Sequence, residues 1–113
     1  MPEPRLAVTH RTEGEFLVII PRGRLDTYAT SCFEDALGQL LAEGTVRIIL
    51  DCSAVSYASS AGLRVFLALA KQMKKAGGCC RFAALTAPLI ELFEISGFVS
   101  VLEIHESVAE ALR

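Results

Sequence analysis

Val46-Arg47-Ile48-Ile49-Leu50-Asp51-Cys52-Ser53-Ala54-Val55-Ser56-Tyr57-Ala58-Ser59-Ser60-Ala61-Gly62-Leu63-Arg64-Val65 is the segment from which the architecture can be inferred. Val46 to Asp51 is an apolar, β-branched run of strand length, the pattern of a central strand buried on both faces. Cys52 to Ala58 reads as a turn. From about Ser60 to Ala76 apolar residues recur at helical spacing, and Gly77-Gly78 stops the helix. A buried strand feeding a helix is the repeating unit of a parallel α/β sheet.

The flanking sequence extends that unit. Leu6 to His10 and Phe16 to Ile20 read as two strands joined by the tight Glu13-Gly14-Glu15 connection, hence an antiparallel hairpin. Pro21 is expected to end the second strand, leaving Arg22-Gly23-Arg24-Leu25-Asp26 as a polar loop. A helix then buries Ala29, Phe33, Ala36, Leu37, Leu40 and Leu41. Asp26, Thr27 or Thr30 can cap its start, and Gly44 suits the left-handed position after its end. Cys80 to Leu85 is the next strand. Thr86-Ala87-Pro88 opens a third helix that buries Leu89, Leu92 and Phe93 and stops at Gly97. Val99 to Leu102 reads as a short strand, and Ser107-Val108-Ala109-Glu110 as the capping box of a terminal helix. The expectation is one α/β domain over residues 1–113, a mixed sheet of four to five strands with an N-terminal hairpin, packed by about four helices.

Composition narrows the function. With 113 residues, 52% of them hydrophobic and 21% charged, the chain has far too much apolar surface for a disordered segment. The 11 basic and 13 acidic residues interleave without a basic patch, which argues against nucleic-acid binding driven by phosphate neutralisation. Met1-Pro2-Glu3-Pro4-Arg5 lacks the apolar run of a signal peptide, and Val65 to Ala70 is too short to span a bilayer. A soluble, cytoplasmic protein away from membranes is expected. Cys32, Cys52, Cys79 and Cys80 form no C-x-x-C, and neither His10 nor His105 stands at ligand spacing from them. Buried reduced thiols are expected, with no metal and no cofactor. No G-x-G-x-x-G or Walker-type loop occurs.

Ser60 is the informative residue. It stands where a strand's carboxyl end meets a helix N-terminus, the place where open α/β sheets gather ligands and partners. Three readings compete. Its hydroxyl can simply cap the helix by accepting from the N–H of Gly62 or Leu63. A phosphate on it would meet unpaired N–H groups and the positive helix end, with bare Gly62 allowing close approach. Ala58-Ser59-Ser60-Ala61-Gly62 also imitates a nucleophile elbow, making Ser60 a hydrolase nucleophile. That last reading needs a later acid and histidine, and the only later histidine is His105, beside the terminal helix.

In four pieces the chain resembles the anti-anti-sigma factors, which are stand-alone STAS domains. The pieces are Gly23-Arg24-Leu25-Asp26, Ile49 to Tyr57, Ser59-Ser60-Ala61-Gly62-Leu63-Arg64-Val65, and Leu92-Phe93-Glu94-Ile95-Ser96-Gly97-Phe98. The resemblance implies a non-enzymatic anti-sigma factor antagonist. Unphosphorylated, it engages an anti-sigma factor that is also a serine kinase of the GHKL ATPase type and frees the sigma factor. Phosphorylation breaks that complex, and a PP2C-type phosphatase restores it. The family's phosphoserine matches Ser60 and its loop acid matches Asp26. Where the family's best-known motif reads Asp-Ser-Ser-Gly, Ser59 replaces the Asp and Ala61 the second Ser, so Ser59 is the alternative phosphosite. STAS domains also serve in lipid-transport and stressosome complexes, the runner-up role.

Physically, Tyr57, Ala58, Ala61 and Leu63 are expected to form a largely apolar docking patch with Ser59 and Gly62, flanked by Arg24, Asp26 and Arg64. A phosphate adds about −1.5 to −2 charges and three acceptor oxygens there. A docked partner must pair or desolvate that charge, at a cost of several kcal/mol where no cation waits. The α-helix from Ser60 has an expected core stripe of Leu63, Phe66, Leu67, Ala70 and Met73. A second apolar stripe, Val65, Ala68 and Leu69, either packs a neighbouring helix or joins the docking surface.

Overall fold

The structure, a computed structural model, describes residues 6–113; the reading of Met1-Pro2-Glu3-Pro4-Arg5 lies outside them. The chain runs β1 (Ala7–Glu13), β2 (Phe16–Leu25), α1 (Thr30–Leu41), β3 (Arg47–Asp51), β4 (Val55–Ala58), α2 (Ser60–Lys75), β5 (Cys79–Ala83), α3 (Ala87–Ile95), a 3-10 turn (Phe98–Ser100), β6 (Glu103–His105) and α4 (Val108–Ala111). The sheet order is β1-β2-β3-β5-β6, with β4 added to the end of β2. The β1–β2 hairpin is antiparallel and all other pairs are parallel. Among the described residues the sheet therefore has six strands, more than the pattern alone supplies.

Period-2 alternation divides the strands between two cores. Leu17, Ile19, Ile48, Leu50, Cys80 and Phe82 face the helices α1 to α3. Phe16, Val18, Ile49 and Ala83 face the opposite side, where Ala111 of α4 covers them. The larger core centres on Phe66, whose ring lies 5.8 Å from Phe33, 5.3 Å from Phe82 and 6.1 Å from Phe93. Rings at such separations and tilts add about 0.5–1.5 kcal/mol per pair beyond the area they bury.

Three expectations are corrected. Pro21 does not end β2, which continues to Leu25. Pairing with β3 stops at Ile19 and pairing with β4 begins at Gly23, so the missing N–H of Pro21 falls where β2 has no parallel neighbour. The segment read as a turn contains β4, four residues that pair Gly23–Leu25 across a register shift. Val99 to Leu102 is not a strand. Its start belongs to the 3-10 turn, and β6 begins at Glu103.

The thiols and α2 also differ from expectation. All four cysteines are free, but only Cys52 and Cys80 are buried; Cys79 is half-buried and Cys32 exposed. Burial pushes the Cys52 thiol far up, with Asp51 and Cys80 adding to it. Burial likewise pushes Cys80 up to about 12, helped by Cys79 and Glu103. Both are protonated core groups at neutral pH. In α2 the buried stripe is Gly62, Leu63, Phe66, Leu69 and Met73, so Leu69 belongs to the core, with Leu67 and Ala70 at its edge. Val65 and Ala68 line an open groove of about 290 Å³ against Leu37, Gly38 and Leu41 of α1.

Candidate functional site

The site is a corner that β2, β4 and the start of α2 build together. Parallel pairing sets Arg24 beside Tyr57 and Leu25 beside Ala58. Alternation then turns Leu25 and Ala58 into the core and leaves Arg24 and Tyr57 outward. The Arg24 guanidinium lies 4.4 Å from the centre of the Tyr57 ring, a cation–π stack that keeps the ring's position while leaving it 36% exposed. Ser56 Oγ donates to the Gly23 carbonyl at 3.3 Å, and Thr86 Oγ1 donates to the Val55 carbonyl at 3.0 Å. Short as it is, β4 is tied on both sides.

Two adjacent serines divide the work at the helix start. Ser59 has extended backbone (φ −84, ψ 172) and is the N-cap. Its N–H donates to the Leu25 carbonyl at 2.9 Å, and its Oγ accepts from the Gly62 N–H at 3.2 Å. The Leu63 N–H donates to the Ser59 carbonyl at 2.9 Å. The capping role read for Ser60 therefore belongs to Ser59. Ser60 is the first helical residue and is exposed. The first four N–H groups of a helix lack intrahelical partners. Ser59 serves that of Gly62, which leaves those of Ser60 and Ala61 at the helix end where Ser60 Oγ projects. No acidic residue occupies the first turn of α2, so nothing in the helix itself offsets its positive end.

Gly62 has a different reason from the one read in the sequence. It is buried, and a Cβ on it would stand 2.7 Å from the Leu25 carbonyl oxygen and 2.8 Å from Leu25 Cγ. The bare Cα lets α2 lie against β2 instead of admitting an anion. Ala58 and Leu63 are also buried, at 1% and 5% exposure. These three expected docking residues thus support the corner from within. Tyr57, Ser60 and Arg64 are exposed, and Ser59 and Ala61 are half-buried.

Asp26 is half-buried, and its Oδ1 accepts from the Ala29 N–H at 2.9 Å, fixing the turn before α1. Thr30 Oγ1 adds a bond to the Thr27 carbonyl at 2.8 Å. Helix α1 itself begins at Thr30 without a side-chain cap. This braced turn holds Tyr28 out at 94% exposure, two residues from Asp26. Tyr28, which the sequence reading did not single out, is the most exposed of the large hydrophobic side chains among the described residues. An aromatic inside a polar loop between strand and helix is the signal that points to it.

The hydrolase arrangement is not assembled. His105 lies on β6, three strand positions from β2, about 14 Å at the usual strand spacing. Its Nε2 is 2.8 Å from Glu103 Oε2, to which Arg81 Nε also approaches at 2.7 Å. Among the described residues no three His, Cys, Asp or Glu side chains converge as a metal site, and no helix is long and apolar enough to cross a membrane.

The corner thus joins a capped helix start, an exposed serine and the Arg24–Tyr57 stack, with the exposed Arg64 one turn into α2. Residues 7–111 match the STAS domain family, and the chain belongs to that family. It is 34% identical over 91 residues to BtrV of Bordetella bronchiseptica, assigned as an anti-sigma factor antagonist, spanning 80% of this chain and 78% of that one. A Thermotoga maritima protein assigned the same role shares the fold with a TM-score of 0.88 at 17% identity, over 93% of this chain and 91% of that one. SpoIIAA of Bacillus, solved in its phosphorylated form, superposes with a TM-score of 0.70 at 19% identity, over 94% and 96% of the two chains.

Proposed function

We propose that this protein is an anti-sigma factor antagonist whose docking corner is switched by phosphorylation of Ser60. The unphosphorylated chain binds an anti-sigma factor through Tyr57, Ala61 and Arg64, bordered by Arg24, Asp26 and Tyr28. That partner is the serine kinase of the GHKL ATPase type that modifies it, and a PP2C-type phosphatase resets the switch. The protein binds and is modified; it performs no chemistry of its own and works in the cytoplasm.

One observation carries the reading: Ser60 is exposed at the first position of α2 while Ser59 alone satisfies the cap. The hydroxyl that a kinase needs is therefore free of structural duty, and modifying it leaves the helix start intact. A phosphate there gains the amide groups and dipole of the helix end. It also places a dianion against a partner shaped for a neutral hydroxyl. A loss of about 2.7 kcal/mol or more is a hundredfold or greater fall in affinity, enough for a switch with no refolding. The relative named as an anti-sigma factor antagonist and the fold neighbour with a phosphorylated form support this reading.

The test is titration calorimetry of the cognate anti-sigma factor with Ser60→Ala and Ser60→Asp. Ser60→Ala should bind as tightly as the unmodified chain, and Ser60→Asp at least tenfold more weakly. Equal affinities for the two variants would overturn the proposal.

A further inference from the structure

The two edges of the sheet are built differently. At one edge β6 is only three residues long, too short to template another chain. At the other, β1 runs for seven residues, and among the described residues only β2 lies beside it. Its register steps residue by residue from Ala7 opposite Arg22 to Glu13 opposite Phe16, without a bulge. The strand contains no proline, lysine or glycine, and all its residues are exposed except Val8 and Glu13, which are half-buried. Its two charges, Arg11 and Glu13, pair with each other at 3.3 Å. Most of the devices that blunt an edge strand are therefore missing from β1.

Pro21 shows which backbone groups this edge presents. In an antiparallel pair, hydrogen-bonded and non-hydrogen-bonded residue pairs alternate. Pro21 has no N–H, so its pair with Val8 is of the non-bonded kind. Alternation makes the His10–Ile19 and Thr12–Leu17 pairs the same. The two-residue turn Gly14-Glu15, with Gly14 at φ 60, closes on a bonded Glu13–Phe16 pair and gives the same phase. The N–H and C=O groups of Val8, His10 and Thr12 therefore point to the free edge, while those of Thr9 and Arg11 are taken by β2.

We propose that β1 is a self-association edge, on which two copies of this chain pair their β1 strands antiparallel about a two-fold axis through His10. In that register His10 opposes the partner's His10, Val8 opposes the partner's Thr12, and Thr12 the partner's Val8. All three outward residues find matching backbone groups. Arg11 opposes the partner's Thr9 and Glu13 the partner's Ala7, so Arg11 and Glu13 meet no like charge. Sliding by one residue sets outward groups against ones already taken. Sliding by two puts Arg11 against the partner's Arg11 in one direction and leaves Thr12 beyond the partner strand in the other. The same seven residues thus supply both sides of the contact, as an isologous dimer requires, and this match selects a second copy over a foreign strand. The contact is a single strand pair, so the dimer belongs to the weak, concentration-dependent class.

Sedimentation velocity and amide hydrogen exchange on the full chain, over a concentration series reaching millimolar, provide the test. The mass should rise from that of one chain toward that of two. Exchange at Val8, His10 and Thr12 should slow in step, while exchange at Thr9 and Arg11 should not change. His10→Glu and His10→Lys alter only an exposed side chain, and each should weaken self-association at least tenfold by setting like charges opposite each other. An equimolar mixture of the two variants should associate at least tenfold more tightly than either alone, since glutamate then faces lysine. A chain that stays monomeric throughout, association that neither variant changes, a mixture no tighter than its components, or protection centred away from β1 would each overturn the proposal.

Discussion

Two helices of this protein start in nearly the same way and end up with different uses. At α2, Ser59 accepts from the N–H of Gly62 at 3.2 Å; at α4, Ser107 accepts from the N–H of Glu110 at 3.1 Å. Both serines have extended backbone and both are N-caps. The difference lies in the turn beyond the cap. The first turn of α4 carries Glu110, a carboxylate that offsets the positive helix end. The first turn of α2 carries no acid, and it opens with a second, exposed hydroxyl. A capping serine is thus ordinary local chemistry. On the proposed switch, what sets the α2 corner apart is a positive helix end with no acid in its first turn, beside a hydroxyl that the cap does not need.

The strongest response should come from breaking the geometry that creates the α2 corner. Gly62→Val puts side-chain atoms inside 3 Å of the Leu25 backbone and should cost roughly 2–3 kcal/mol of stability, the range of a strained overpacked site, read by urea unfolding. Gly38, with open space around its Cα, gives the control, since Gly38→Ala should stabilise α1 by up to about 1 kcal/mol. Equal behaviour of the two glycines would remove the packing explanation for Gly62. Next, Tyr28→Ala should weaken the anti-sigma factor at least tenfold with no change in Tm, whereas Glu110→Gln at the other helix start should leave affinity unchanged. A Tyr28→Ala variant of full affinity takes Tyr28 off the docking surface.

Smaller effects separate the two adjacent serines. Ser59→Ala should destabilise the fold by about 1 kcal/mol, the usual worth of an N-cap, while Ser60→Ala at the next position should be within about 0.5 kcal/mol of unmodified. Reversed values would return the capping role to Ser60. The least change is a gain. Ser60→Asp adds a charge to the open helix end and should raise stability by about 0.5 kcal/mol, or about 2–3 °C in Tm, even as it weakens docking. Stability and affinity moving in opposite directions in one variant is the signature of a site kept open for a charge.

The sequence made much of this readable because the governing signals are local. The Val46–Asp51 run, the helical spacing after Ser60 and the glycine stops at Gly44, Gly77 and Gly97 depend only on neighbours within a turn. The last three each take positive φ, as helix termination requires. What stayed hidden depends on contacts across the chain. Val55–Ala58 is a strand only because Gly23–Leu25 lies alongside it, and four residues after a turn carry no period of their own. Gly62 reads as an opening for an anion until Leu25 is seen against it. Leu67 and Leu69 sit two positions apart in α2, and which is fully buried depends on where α1 crosses. Ser59 and Ser60 are chemically identical in sequence. The hydrogen bonds of Ser59, from its N–H to Leu25 and to its Oγ from Gly62, fix where the helix begins, and hence which hydroxyl is left over.

The decisive measurement is phosphate mapping by mass spectrometry after incubating the chain with its anti-sigma factor kinase and ATP, run beside a binding assay on the same sample. A single phosphate should appear on Ser60, with affinity for the kinase falling at least a hundredfold as it accumulates. Phosphate on Ser59, or a phosphorylated chain that binds as tightly as before, would refute the switch.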